Sequence, residues 1–95
     1  MNTKLQEPLT DQFMAAILEL KTPEECYCFF EDIATISEIK ALAQRLEVAR
    51  MLEEKYIYDE IADRTGASTA TISRVKKCLH YGADGYQLIL KRLKK

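Results

Sequence analysis

Residues 58–79 read YDEIADRTGASTATISRVKKCL, and the organisation of the whole chain follows from how this stretch folds. Ile61, Ala62 and Thr65 are spaced to form one face of a short helix, and Ile72, Val75 and Leu79 repeat at three and four residues on a second. Between them Gly66 occupies the position where the chain turns sharply, because a residue without Cβ enters left-handed backbone space at little cost. Ser68 then supplies a hydroxyl that can accept from the free amides of the following first turn. The pattern predicts a helix-turn-helix, whose second helix is the element suited to a DNA major groove.

Working outward, the charge distribution supports that assignment despite a formal net charge of -1. Residues 1–63 hold 6 Lys/Arg and 14 Asp/Glu, giving -8, whereas residues 64–95 hold 8 Lys/Arg and only Asp84, giving +7. Phosphate contacts need a local basic face, since repulsion from acidic residues elsewhere is screened beyond about 10 Å. The basic third of the chain is the one that carries the second helix. Around its apolar stripe the candidates to face DNA are Ser68, Thr69, Ala70, Thr71, Ser73, Arg74 and Lys77. Thr69 and Ser73 can donate or accept a hydrogen bond, Ala70 allows close approach to a base edge or thymine methyl, and Lys77 suits phosphate.

Upstream, Phe13, Met14, Ile17, Leu18 and Leu20 predict a first helix from Thr10 or Asp11, with residues 1–9 flexible. Thr22-Pro23-Glu24-Glu25 is a strong start signal, with Thr22 as N-cap, Pro23 at the first helical position and Glu25 closing a capping box. A second helix over Pro23 to about Asp32 is expected to bury Cys26, Phe29, Phe30 and Ile33. A third and longest helix, from Thr35 to near Lys55, is expected to carry Ile39, Leu42, Ala43, Leu46, Ala49 and Leu52 on its inward stripe. Downstream, Tyr81 to Gly85 reads as a stop and a turn, before a last helix with Tyr86, Ile89, Leu90 and Leu93 on one face.

The chain of 95 residues is therefore expected to be one all-α domain of six helices over residues 1–95. Phe13, Phe29, Phe30, Leu46 and Leu90 are more apolar bulk than so short a chain readily covers, which predicts a homodimer sharing one core. Three cysteines, an odd number, and a polar N-terminal segment predict free thiols and a cytoplasmic location, with no membrane partner. Cys26-x-Cys28 and Cys78-x-His80 do not predict a metal site. Residues two apart on a helix point about 200° away from each other, so neither pair chelates from one helix, and buried cysteines are expected instead. The same geometry rules out Cys78 and His80 as a nucleophile-base pair, so no catalytic residue and no cofactor is expected.

TGASTATISR, residues 65–74, resembles the helix-turn-helix of the tryptophan repressor superfamily, with its Gly-Ala-x-x-Ala-Thr-Ile-Ser/Thr-Arg run. The likeness reaches back more weakly to Thr35, and the chain with its YxEIAxRTGAS stretch looks most like the small bacterial subgroup called YerC/YecD. The resemblance implies a TrpR-like fold, an intertwined dimer presenting two helix-turn-helix heads to successive major grooves, and a transcriptional regulator, most often a repressor, that binds double-stranded DNA. It also implies an effector pocket in which Arg45 and Arg74 match the two arginines that sandwich the indole, with Thr35 and Thr71 close by. Two positions depart from the pattern. Val75 stands in place of a glycine and Cys78 in place of a serine; a β-branched side chain takes up space the indole needs, and a thiol is a poor partner for an amino-acid head group. A small-molecule effector other than tryptophan, or none, is therefore expected. The competing function is a helix-turn-helix that docks a protein such as a polymerase subunit and does not read sequence.

Overall fold

The computed structural model describes residues 3–94; of the flexible segment expected over residues 1–9, Met1 and Asn2 lie outside it. Among the described residues there are six helices and no strand: α1 (Pro8–Leu18), α2 (Pro23–Ile33), α3 (Ile36–Glu53), α4 (Tyr58–Thr65), α5 (Thr69–Tyr81) and α6 (Gly85–Lys94). The chain separates into two compact units, Met1–Ile36 and Ser37–Lys95.

In the first unit α1 starts at Pro8, ahead of the expected Thr10 or Asp11. Pro8 and Leu9 are thus helical, outside the expected flexible segment. Pro8 sits in the first turn, where its fixed φ is already helical and its missing N–H is no loss. Thr22 caps α2 as expected, its hydroxyl accepting from the Glu25 amide at 3.1 Å, but Glu25 reaches back to the Lys21 amide at 2.9 Å, one residue before the cap. Phe13, Phe29 and Phe30 form a run of ring contacts with centroids 6.1 and 5.4 Å apart. No residue of either helix is buried, however, and Ile33, expected inside, is 52% exposed. The expected burial of the cysteines also fails: Cys28 and Cys78 are exposed and Cys26 is half-buried, all three as free thiols. On α2 the cause is the spacing, which turns Cys28 away from the ring run carried by Phe29.

The second unit holds the core. Val48, Ala49 and Met51 of α3, Ile61 of α4, Ala67 of the turn, Ile72 and Val75 of α5 and Leu90 of α6 cluster together, and Leu79 is buried as well. The α3 stripe differs in part from the expected one: Ala49 is buried and Leu46 and Leu52 pack on the core as expected, but Leu42 is 54% exposed and Ala43 is exposed, while Val48 and Met51 are fully buried. The reason is that α3 carries apolar residues all round. Ile39 and Leu42 lie on one side and Val48 with Met51 on the other, and the core cluster draws on the second side, with Leu46 packed against it. Leu90, placed among the residues too many for one chain to cover, is buried within the chain, while Ile89 and Leu93 remain open.

α3 ends in a left-handed turn, with the Tyr56 amide donating to the Met51 carbonyl at 3.0 Å and Lys55 at φ 70°. This is the Schellman arrangement with a lysine where glycine is usual. On the outer surface of α3 Arg50 bridges Glu47 at 2.7 Å and Glu54 at 3.0 Å, and the Arg50 hydrogen bond holds the Glu47 carboxyl below its ordinary value.

Ile61→Ala should destabilise the chain by about 2–5 kcal/mol, because a fully buried branched side chain leaves a cavity in a rigid cluster. Urea unfolding followed by circular dichroism measures it; a shift of the midpoint equivalent to under about 1 kcal/mol would mean that the cluster does not carry the fold.

Candidate nucleic-acid interface

The helix-turn-helix is built as its residues require. The Gly66 amide closes α4 on the Ala62 carbonyl at 2.8 Å, and Gly66 takes the left-handed φ of 74° that the turn needs. A Cβ there would meet only the Gln44 amide nitrogen at 3.9 Å, so the requirement is conformational and not one of space. Thr65 donates its hydroxyl to the Ile61 carbonyl at 2.7 Å and accepts from the Ala67 amide at 3.1 Å. Gln44 of α3 donates to the Thr65 carbonyl at 3.0 Å, which ties the turn to the long helix. Nothing in the sequence pattern pointed to Gln44, since a polar residue on a long helix reads as solvated until its neighbour is known.

Ser68 caps α5 as expected, accepting from the Thr71 amide at 3.1 Å, and its hydroxyl donates to that of Thr71 at 3.1 Å. Ile72, Val75 and Leu79 face the core, which turns the rest of α5 outward. Ser68, Thr69, Ala70, Ser73, Arg74 and Lys77 are all exposed and Thr71 is half-buried. Of these, Ser68 and Thr71 have their hydroxyls engaged with each other, while Ala70, Arg74 and Lys77 stand opposite the buried stripe.

The residues matched to an effector pocket are not equivalent in surroundings. Val75 is 2% exposed and belongs to the core, Arg45 is half-buried, and Arg74 and Cys78 are exposed. Thr35 lies in the first unit, just before α3. A residue that sequence reasoning assigned only to the α6 stripe enters here: Tyr86, half-buried against the core. Burial and the nearby Cys78 push its phenol above the ordinary value and Arg45 pulls it back, so Tyr86 stands within electrostatic reach of both.

Near the start of α4, cations of α4 and α5 rest on aromatic rings. The Arg64 guanidinium is 5.0 Å from the Tyr56 ring centre, and the Lys76 ammonium is 5.6 Å from that of Tyr58. Tyr56 and Tyr58 both pack on the core at the entry to the helix-turn-helix.

The family model for the Trp repressor protein matches residues 9–94. The chain belongs to the Trp repressor family. A protein of Bacillus subtilis, YerC, described as uncharacterized, is 59% identical over 91 residues, covering 96% of this chain and 88% of its own. A TrpR-like protein from Eubacterium eligens superposes with a TM-score of 0.93 at 54% identity over 98% of this chain and 96% of its own. A candidate Trp repressor from Staphylococcus aureus gives 0.92 at 49% identity, over 96% and 91%. Membership places the all-α fold and its helix-turn-helix among DNA-binding regulators, a regulatory and not an enzymatic family. No helix among the described residues is long and apolar enough to cross a membrane.

Ser68→Ala should cost about 0.5–2 kcal/mol through loss of the α5 cap, and Ser68→Gly much less. Thermal unfolding of the two variants side by side tests this; equal losses would place the role of Ser68 elsewhere.

Proposed function

We propose that this chain is a cytoplasmic, homodimeric, sequence-specific DNA-binding regulator that acts as a repressor and reads the major groove with α5. The observation that carries the reading is the outward face of α5, where Thr69, Ala70, Ser73, Arg74 and Lys77 are exposed on a helix anchored along its opposite side. A buried stripe on one side and small, hydroxylic and basic groups on the other is the division a recognition helix needs. Family membership supports it independently.

The dimer reading rests on apolar surface. Leu9 and Leu18 of α1 are 74% and 83% exposed, Tyr27 of α2 is 73% exposed, and Ile36 and Leu42 open one side of α3. Apolar residues spread over several helices in this way fit burial against a second copy, and a two-fold pair would set two α5 helices about one DNA turn apart.

As to the signal, Val75 in the core supports a regulator that does not answer to tryptophan. An indole between α3 and α5 would have to displace a buried β-branched side chain, and overpacking of that kind costs about 1–3 kcal/mol. The effector is then a different small molecule, or the chain works without one.

Arg74→Ala, Ser73→Ala and Thr69→Ala should each weaken operator binding by about 1–3 kcal/mol where they reach base edges, while Lys77→Ala should weaken all duplexes alike. Polarisation titrations over a salt series measure both. If wild-type affinity for duplex does not depend on salt, the DNA reading fails in favour of protein docking. Light scattering at micromolar concentration should give twice the 10.9 kDa of the chain, and a monomer mass would end the dimer reading.

A further inference from the structure

An open cleft of about 610 Å³ lies between the end of α3, the start of α4 and the last turns of α5. Its floor is Leu52 and Leu79, and Lys55, Tyr56, Tyr58, Lys76 and His80 stand round it. All five carry N–H or O–H donors; Glu53 is the one carboxylate on the lining. Such a set is made for a ligand that only accepts hydrogen bonds and carries negative charge, which describes a phosphate group.

One of these donors is held in place, and another sits on a strained backbone. Lys76 rests its ammonium over the Tyr58 ring, an arrangement that limits the freedom of a long side chain. Lys55 has φ 70°, a backbone state that costs an L-residue about 1 kcal/mol and that glycine would adopt freely. A lysine kept at a position better suited to glycine is one whose side chain has a use.

The cleft also adjoins the reading face. At 3.6 residues per turn, Lys76 and His80 fall on the same flank of α5 as Thr69 and Ser73, between the buried stripe and the line of Ala70, Arg74 and Lys77. When α5 lies in a groove, a DNA strand bordering that groove runs along this flank.

We propose that the cleft of Lys55, Lys76 and His80, with the Tyr56 and Tyr58 hydroxyls, binds a backbone phosphate of the DNA that α5 reads, outside the base-reading set. This rests on the DNA reading above. The clamp carries no sequence information; it sets the register of the helix-turn-helix on the duplex and adds to the salt dependence. Glu53 opposes it as a like charge.

The test uses the full chain, fluorescence polarisation on operator and random duplex, and a salt series. Lys55→Gln/Lys76→Gln should lower affinity about tenfold on both duplexes and reduce the slope of log Kd against log salt by about 1. Glu53→Gln should tighten binding about twofold to threefold. Lys55→Gly separates binding from folding, because it should raise the urea midpoint by relieving the backbone yet weaken duplex binding. An unchanged salt slope in the double variant, while Arg74→Ala still weakens operator binding, overturns the clamp and leaves the DNA reading intact. Loss of salt-dependent duplex affinity in the wild type itself overturns both. Titration with inorganic phosphate and with a nucleoside monophosphate, followed by NMR at His80 and the tyrosines, distinguishes the source: saturation that duplex does not displace makes this a site for a free phosphorylated compound and overturns the backbone assignment.

Discussion

The burial of Met51 and Val48 against Ile61, Ile72 and Val75 is the interaction on which the rest of the molecule depends. A recognition helix is useful only if its rotation about its own axis is fixed, since a change of one residue in phase would turn Arg74 and Ala70 toward the protein. Full burial of one stripe fixes that rotation, because each side chain withdrawn from water is worth about 1.5–3 kcal/mol and no other phase recovers it. The hydrogen bonds at the turn act on top of this. Gly66 supplies the left-handed step, Thr65 closes the end of α4, and Gln44 fastens the turn to α3. They set direction, whereas the cluster supplies most of the free energy.

The same principle explains why the two sides of α3 differ. Its apolar residues surround the helix, and one chain has only enough mass near its C-terminal half to cover one side. What is left, with Leu9, Leu18 and Tyr27 of the first unit, is more exposed large apolar side chains than solubility favours. Such a surface fits the proposed burial against a second copy.

Charge on this chain is likewise arranged by position and not by total. All the acidic residues but Asp84 fall before residue 64, and 8 of the 14 basic ones fall at or after it, so a chain with net charge -1 still presents lysine and arginine on α5. Screening over about 10 Å makes that separation effective. Lys55, one of six cations in the acidic stretch, lines the same cleft as Lys76 and His80 of α5 and sits in the left-handed turn that ends α3.

How much of this was legible beforehand depended on the range of the interaction. Local features were: the Thr22 and Ser68 caps, the left-handed Gly66 and the buried stripe of Ile72, Val75 and Leu79 are decided by residues within one or two turns of each other, and the sequence by itself determined them. The six helices and absence of strands among the described residues, and the family through TGASTATISR, followed from the same short-range pattern. Tertiary structure alone decided which side of α3 is inside, since periodicity cannot choose between two apolar faces on one helix. It also brought Tyr86 near Arg45 and Cys78, tied Gln44 to Thr65, and gathered Lys55, Lys76 and His80 around one cleft. Gln44 and Thr65 lie 21 residues apart along the chain, as do Lys55 and Lys76, and a pattern read along one helix has no term that depends on what a distant segment places beside it.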